Sequence, residues 1–330
     1  MEKTFDIVLL LALPASGKSE VRKYLTNVPA DSLRKDFHIG ENLQLDDFPY
    51  VHLMRRIDDE LAKLGKERMF FKSGDKPFIN PNDWGTLIHI LNEDYYDLMK
   101  KNVVKAKSAG ALLIQRIDKA GEKAKISPRL ARLDAKTSAA VAAAIEKEAR
   151  ELLDEKHAAY PASFEGRTIV MEAARGGPDG SAMPLKAPFG YQYSLGELAP
   201  EILERATILY VWVTPEESRR KNTARTDPND PGSILHHGVP MDVMMNDYGC
   251  DDMGWLEQNS EVPGAITINK GGKKYHLPIG RFDNRVDKTS FLREDKKLWP
   301  KEKVEAVHNG LKAATDKIFS LSATARSFTA

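Results

Sequence analysis

The feature that most restricts the fold of this chain is an apolar run that leads directly into a glycine-containing loop and then a helix. Residues Ile7–Leu11 are continuously apolar, which is typical of a strand buried on both faces of a parallel sheet. A loop with Pro14 and Gly17 follows, and the next residues predict a helix over Lys18–Thr26. This arrangement is expected of an α/β fold.

The loop between that strand and helix matches the phosphate-loop pattern, with Ala12 in place of the first glycine. Successive backbone N–H groups and the helix N-terminus would face phosphate oxygens. Lys18 would neutralise the β- and γ-phosphates, and the Ser19 hydroxyl would ligate Mg²⁺. Gly17 allows close approach of the backbone, and Ala12 fits if its φ is negative. The predicted nucleotide-binding residues of the loop are Ala12, Pro14, Ala15, Ser16, Gly17, Lys18 and Ser19.

A chance Gly-Lys-Ser at an ordinary turn is the alternative interpretation of so short a motif. The apolar strand before the loop and the helix after it supply the structural context that a phosphate loop requires. This context favours phosphate binding.

Strand and helix patterns alternate along much of the remaining chain. Further strands are predicted at residues 43–45, 168–171, 206–213 and 275–282. Helices are predicted at residues 50–64, 82–99 and 301–319. In an alternative for the last strand, residues 265–268 and 275–277 form a hairpin around Gly271-Gly272. The alternation predicts a right-handed, mostly parallel α/β sheet.

A stretch rich in alanine and lysine interrupts this alternation between residues 100 and 160. It predicts helices that are separated near Gly121 and near Ser127-Pro128. We interpret residues 100–165 as a helical insertion into a core formed by residues 1–99 and 166–330.

The same stretch is locally basic. Over residues 100–136, 11 lysines and arginines outnumber 3 aspartates and glutamates, an excess of +8, which could follow a nucleic-acid backbone. It contains no aromatic residue that would stack on bases. A solvated helical face is therefore favoured over a nucleic-acid partner.

The overall composition gives no independent sign of a nucleic-acid or membrane partner. The 330 residues carry a net charge of +1, so global charge attracts neither a polyanion nor an acidic membrane. The single cysteine, Cys250, fits a reducing compartment. The apolar run at residues 7–13 is too short to cross a bilayer and lacks the flanks of a signal peptide. We therefore predict a cytoplasmic protein.

Acidic residues follow two predicted strands, at the edge where open α/β sheets bind ligands. Asp46 and Asp47 close the strand at residues 43–45, and either is a candidate to accept the proton of an acceptor hydroxyl. The alternative is a pair of helix-capping aspartates. Glu172 follows the strand at residues 168–171 and is a candidate to hold Mg²⁺ or to orient the acceptor, or else it caps a helix.

An arginine-rich segment follows the strand at residues 206–213. Arg219, Arg220 and Arg225 have helical spacing that can present guanidinium groups toward one side, which suits bidentate contacts to phosphate. Such a cluster is more often a solvated helix face. Its position directly after a buried strand favours a lid over the triphosphate.

These segments resemble those of P-loop kinases in order and type, and they are most similar to the uridine kinase, phosphoribulokinase and pantothenate kinase group. The similar segments are residues 45–48, 77–84, 169–172, 220–227, 238–244 and 282–284, with Asp287. The resemblance implies a P-loop NTPase three-layer sandwich with a mostly parallel five-stranded sheet, and it implies ATP and Mg²⁺ as cofactors. It also implies that the last strand and the loop after it, which includes Asn284, line the adenine.

We therefore expect an ATP-dependent kinase that transfers the γ-phosphoryl group to a hydroxyl of a small, nucleoside- or sugar-like molecule. The candidate catalytic residues are Lys18, Asp46, Asp47, Glu172, Arg220 and Arg225, with Arg219 and Asn284 on the nucleotide and with Ser19 and Glu172 on the metal. Two alternatives are a polynucleotide-end kinase that uses the basic stretch and a nucleotide-dependent ATPase or switch without a small-molecule acceptor.

Overall fold

The computed structural model of the protein describes residues 3–225 and 238–327, and the side chains of residues 225 and 323–327 are not part of this description. Thr226, Asp227 and the Arg225 side chain, which end the predicted lid segment, lie outside the described residues. The chain divides into two compact units. Unit 1 comprises Met1–Gln44, Glu165–Gly196 and Pro200–Ala330, and unit 2 comprises Leu45–Phe164 and Glu197–Ala199.

Six strands and twelve α-helices are found in the described residues. The strands are β1 (Ile7–Leu11), β2 (Glu41–Asp46), β3 (Arg167–Ala173), β4 (Ala206–Trp212), β5 (Ala265–Lys270) and β6 (Lys273–Asp283). The helices are α1 (Lys18–Thr26), α2 (Ala30–Phe37), α3 (Phe48–Lys63), α4 (Asp83–Lys100), α5 (Ala109–Lys123), α6 (Ala135–Ala158), α7 (Gly190–Glu197), α8 (Pro200–Leu203), α9 (Pro215–Arg225), α10 (Met241–Asn246), α11 (Met253–Gln258) and α12 (Lys301–Ser327). No described helix is long and apolar enough to cross a membrane.

The strands form one mostly parallel sheet in the order β2-β3-β1-β4-β6-β5, flanked by helices. The predicted α/β class is confirmed, whereas the expected count of five strands is wrong. β1 pairs in parallel with both β3 and β4, and β4 pairs in parallel with β6. The long strand β6 has two partners, because residues 279–283 pair with β4 while residues 273–278 pair antiparallel with β5. The predicted strand at residues 275–282 therefore lies within β6, the hairpin is also formed, and β5 is the sixth strand.

One face of the sheet is covered by α1, α2 and α12. Alternate strand residues such as Val8 of β1 and Leu209 of β4 join one buried apolar cluster with these helices. The helix α12 lies so close to β6 that a Cβ atom at Gly280 would be 2.2 Å from the Ala314 carbonyl oxygen, so glycine is required there. On the opposite face, the ring of Tyr191 in α7 packs edge-on against the ring of Tyr210 in β4.

Unit 2 contains the helices α3–α6 and has buried ion pairs in its interior. Arg116 lies 2.6 Å from Asp94, and Arg129 lies 2.6 Å from Asp83. The carboxylates and Arg116 are almost fully buried. Two of the three arginines in the basic stretch therefore neutralise interior carboxylates, and its exposed positive charge comes mainly from lysines.

Candidate functional site

The loop that carries the phosphate-binding pattern lies between β1 and α1, where a strand in the middle of the sheet ends. Ligands of open α/β sheets bind at this carboxyl edge. Helix α1 begins at Lys18 and ends at Thr26, as predicted. Residues 12–18 are buried and Ser19 is half-buried. The loop is therefore built into the packed interior of unit 1.

Two loop residues have a left-handed backbone, with φ of 53° at Ala15 and 105° at Gly17. Ala12 has no positive φ, so alanine replaces the first glycine of the pattern without strain. A Cβ atom at Gly17 would lie 2.4 Å from Thr289 Oγ1 and 2.8 Å from Asn284 Nδ2. Glycine is therefore required at this position both for its conformation and for space.

Three carbonyl oxygens at alternate loop positions accept hydrogen bonds from side chains of other elements. The pairs are Tyr191 Oη with the Ala12 oxygen at 2.9 Å, Ser218 Oγ with the Pro14 oxygen at 2.7 Å, and Asn284 Nδ2 with the Ser16 oxygen at 2.6 Å. The donors come from α7, from α9 and from the residue after β6, and all are buried. The loop is thereby fixed at three points.

The backbone N–H groups of Ala15, Ser16 and Gly17 differ from these carbonyls, since they donate to no atom of the described residues. All three residues are buried. The Ser16 hydroxyl is likewise buried and makes no hydrogen bond within the described part of the chain. Buried N–H groups without a partner are rare because each costs about as much free energy as a lost hydrogen bond. Three in succession before a helix N-terminus form a cradle that suits an anion.

The Lys18 side chain adds a positive charge to this cradle. Its Nζ atom lies 3.5 Å from the carbonyl oxygen of Ala12, so the side chain reaches back along the loop, and the residue is 8% exposed. Backbone donors and a buried ammonium together favour a multiply charged oxyanion such as phosphate.

Comparisons of the chain with protein-family models, curated proteins and solved structures find no match. The site is therefore assigned from its own residues. They supply two loop residues with a left-handed backbone, N–H groups without a partner in the described chain, and a lysine at the start of a helix.

Glu172 lies beside α1. It is opposite Leu10 in the register of β1 and β3, and its carboxylate is 3.1 Å from Arg22 Nη1. Arg22 is three residues after Ser19 and hence on a neighbouring part of the same helix surface. The structure thus brings Glu172 to the helix that carries Ser19, with an arginine partner that sequence reasoning missed.

Hydroxyl and carboxylate oxygens are the ligand types that Mg²⁺ prefers, and Ser19 and Glu172 supply both types. No group of three or more His, Cys, Asp or Glu side chains within residues 3–225 and 238–327 could hold a metal ion. A magnesium site at Ser19 would therefore need phosphate oxygens and water as further ligands, as is usual for Mg²⁺.

Arg219 and Arg220 of α9 form ion pairs with carboxylates in this structure. Arg219 lies 3.3 Å from Asp179 and 3.5 Å from Glu216, and Arg220 lies 2.7 Å from Glu217. The pairs with the two glutamates join residues three apart on one helix. The role of these arginines in a lid stays a prediction.

Another face of α9 carries Ser218 and Lys221, which are three residues apart and contact the loop between β1 and α1 or the residues around it. Lys221 is 1% exposed, and its Nζ atom is 2.8 Å from Asp287 Oδ1 and 3.3 Å from Thr289 Oγ1. Thr289 Oγ1 in turn accepts a hydrogen bond of 2.9 Å from Asn284. Sequence reasoning singled out the neighbouring arginines and missed Ser218 and Lys221, although their spacing places them on one face.

Asn284 braces the loop in this structure. Its Nδ2 atom donates to the Ser16 carbonyl and to Thr289, and its Oδ1 atom accepts the N–H of Lys288 at 2.7 Å. The amide thus uses both hydrogens within the protein. A hydrogen bond from Nδ2 to adenine would require Asn284 to exchange one of these bonds, whereas Oδ1 has a second lone pair that could accept one.

Asp46 and Asp47 belong to unit 2, where β2 ends and α3 begins. The Asp46 carboxylate accepts the N–H of Phe48 at 2.9 Å. Asp47 occupies the N-cap position of α3 without a side-chain capping bond, and it is 6% exposed. Asp46 therefore shapes the turn into the helix, while the role of either residue in catalysis stays a prediction.

Tyr191 is positioned by a buried carboxylate at the start of α7. Asp252 accepts the N–H groups of Tyr191 at 2.6 Å and Gln192 at 3.1 Å. Burial raises the pKa of Asp252 to about 6, although these two hydrogen bonds act to lower it, and the neighbouring charge of Asp251 adds to the rise. Burial also keeps the pKa of Tyr191 well above its ordinary value, so the hydroxyl stays protonated and donates to the loop.

Proposed function

We propose that this chain is a cytoplasmic ATP-dependent kinase related to the P-loop kinases, which transfers the γ-phosphoryl group to a hydroxyl of a small, nucleoside- or sugar-like molecule. The observation that carries the proposal is the row of buried, unpaired N–H groups at Ala15, Ser16 and Gly17 beside the Lys18 ammonium. This row fits the oxygens of a polyphosphate, since each N–H group gains a partner that the described protein does not give it.

Each predicted site residue has a separate role in this reaction. The loop N–H groups hold the phosphates, and Lys18 offsets their negative charge and the charge that develops during transfer. The Ser19 hydroxyl holds Mg²⁺, which when bound supplies charge neutralisation on the phosphate oxygens. Asp46 or Asp47 orients the acceptor hydroxyl and receives its proton, and Glu172 is the second candidate for that role.

The test is a phosphorylation screen with γ-labelled ATP against pooled small molecules that carry a hydroxyl, beside a reaction without acceptor. The proposal expects label to enter an acceptor with the wild type and not with Lys18→Ala. Equal release of labelled phosphate with and without every acceptor pool would favour the ATPase or switch instead. Label that entered only oligonucleotide ends would favour the polynucleotide-end kinase.

A further inference from the structure

Side chains from three distant parts of the chain converge on the phosphate loop from outside. Tyr191, Ser218 and Asn284 hold the carbonyls of residues 12, 14 and 16. Their distances of 2.6 to 2.9 Å are those of well-formed hydrogen bonds. The three donors hold every second peptide group of the loop.

The geometry of the peptide unit converts these contacts into an orientation of the N–H groups. In a planar trans peptide, the carbonyl of one residue and the N–H of the next point in opposite directions. Bonds to the carbonyls of Pro14 and Ser16 therefore turn the N–H groups of Ala15 and Gly17 away from the donors. These are two of the three N–H groups that have no partner in the described chain.

The left-handed residues of the loop fit the same scheme. Ala15 has φ of 53°, a conformation that is costly for a residue with a side chain. Ala15 lies between the two carbonyls that Ser218 and Asn284 hold. The flanking hydrogen bonds offset the cost of this conformation.

We infer that Tyr191, Ser218 and Asn284 are positioning residues for phosphate binding, which keep the loop N–H groups aimed at the anion before it arrives. This inference rests on the proposed function. A loop that is already ordered loses less conformational entropy on binding, so the three donors increase affinity without touching the ligand.

The second layer around Asn284 supports this role. Thr289 accepts from Asn284 and from Lys221, and Lys221 also binds Asp287. A buried chain of hydrogen bonds thus runs from α9 to the Ser16 carbonyl. Such a network fixes the Asn284 amide with its donor toward the loop.

The test uses two substitutions that delete one hydroxyl each, Tyr191→Phe and Ser218→Ala. Thr207→Val is the matched control, because Thr207 is a buried residue whose hydroxyl donates to a carbonyl, that of Ile7, at 3.1 Å within the same sheet. Kd is measured at a temperature where all variants are folded, with Mg-ATP and with inorganic pyrophosphate as the two probes. Melting temperature is measured in parallel.

We expect Tyr191→Phe and Ser218→Ala to raise Kd for both probes about three- to tenfold, the change that loss of one net hydrogen bond produces. Thr207→Val should lower the melting temperature and leave both Kd values within about twofold of the wild type. Asn284→Ala should have the largest effect, because it releases the Ser16 carbonyl and also removes the bond with Thr289, but the conclusion does not depend on its folding.

The positioning role is overturned if Tyr191→Phe and Ser218→Ala lose thermal stability as Thr207→Val does while they keep wild-type Kd values. In that outcome the wild type still binds and Lys18→Ala does not, so the proposed function stands. A wild type that binds neither probe overturns the proposed function together with this inference.

Discussion

Lys221 and Asp287 form an ion pair of 2.8 Å in which the lysine side chain is only 1% exposed. Burial by itself would raise the pKa of Asp287. Hydrogen bonds from Lys221 and Ser290, together with the lysine charge, instead hold that pKa well below its usual range. The pair links α9 to the loop after β6, and both elements supply donors that hold the loop between β1 and α1.

We predict that Lys221→Met destabilises the protein by about 3 kcal/mol, since it leaves the partly buried Asp287 carboxylate without its counter-charge. This loss in the free energy of unfolding lies at the low end of the range for buried pairs, because Asp287 is 27% exposed. Chemical denaturation gives the free energy of unfolding. Arg220→Met is the control on the same helix, and loss of its exposed pair with Glu217 should cost at most about 1 kcal/mol. Equal losses for the two variants would contradict the role given to the buried pair.

The stability of the protein should depend on the ionisation of Asp252. Its pKa is about 6 in the folded protein and about 4 in an unfolded chain. Between these values the folded state binds a proton that the unfolded state has released, so the free energy of unfolding falls as the pH rises from about 4 to about 6. The full contribution is roughly 3 kcal/mol.

Denaturation of the wild type and Asp252→Asn at several pH values between 4 and 6 measures this contribution. We expect the difference between the two proteins to change across that window and to be constant above it. Carboxylates whose pKa values are lowered, such as Glu146, lose their stabilising interactions at lower pH and do so equally in both proteins. Parallel curves for the two proteins would refute the assignment.

For catalysis, we predict that Asp46→Asn or Asp47→Asn lowers turnover about 10²- to 10⁴-fold, the usual range for loss of a general base, with Asp46 the stronger candidate. Asn retains an oxygen that can accept the Phe48 N–H bond seen for Asp46, so the turn into α3 should persist. ATP affinity should be unchanged, because the phosphate loop is not altered. The measurement is turnover and ATP affinity of each variant with an identified acceptor. Wild-type turnover in both variants would contradict this prediction. Glu172 would then be the candidate that activates the acceptor hydroxyl, and Glu172→Gln would test it.

The local elements of the site could be predicted because their causes are local. Five consecutive apolar residues form β1, and α1 begins at Lys18 directly after Gly17 in a left-handed conformation. The pattern of the loop therefore needed no knowledge of distant residues. In contrast, α2 was missed because it presents only Leu33 and Phe37 to the core over eight residues.

The contacts that hold the loop could not be predicted from the sequence. Ser218 lies 204 positions from Pro14, and Asn284 lies 268 positions from Ser16, so only the folded sheet brings them together. The charge of the α9 arginines predicts contacts to phosphate, and that role stays a prediction. The pairs of Arg219 and Arg220 with glutamates one turn earlier are a feature that their charge alone did not indicate. Ser218 and Lys221 of the same helix reach the loop's surroundings without forming any motif.

The central claim is that this loop binds the phosphates of a nucleotide, and calorimetric titration of Mg-ATP into wild type, Lys18→Ala and Lys23→Ala tests it most directly. Lys23 lies on the same helix but donates to the carbonyls of Arg293 and Glu294, so it controls for loss of a lysine from α1. We predict saturable binding by the wild type and Lys23→Ala and no measurable binding by Lys18→Ala. In the two proteins that bind, the free energy of unfolding should rise by about 2.7 kcal/mol at a ligand concentration of about 100 times Kd. Equal binding by all three proteins, or none by the wild type, would contradict the claim.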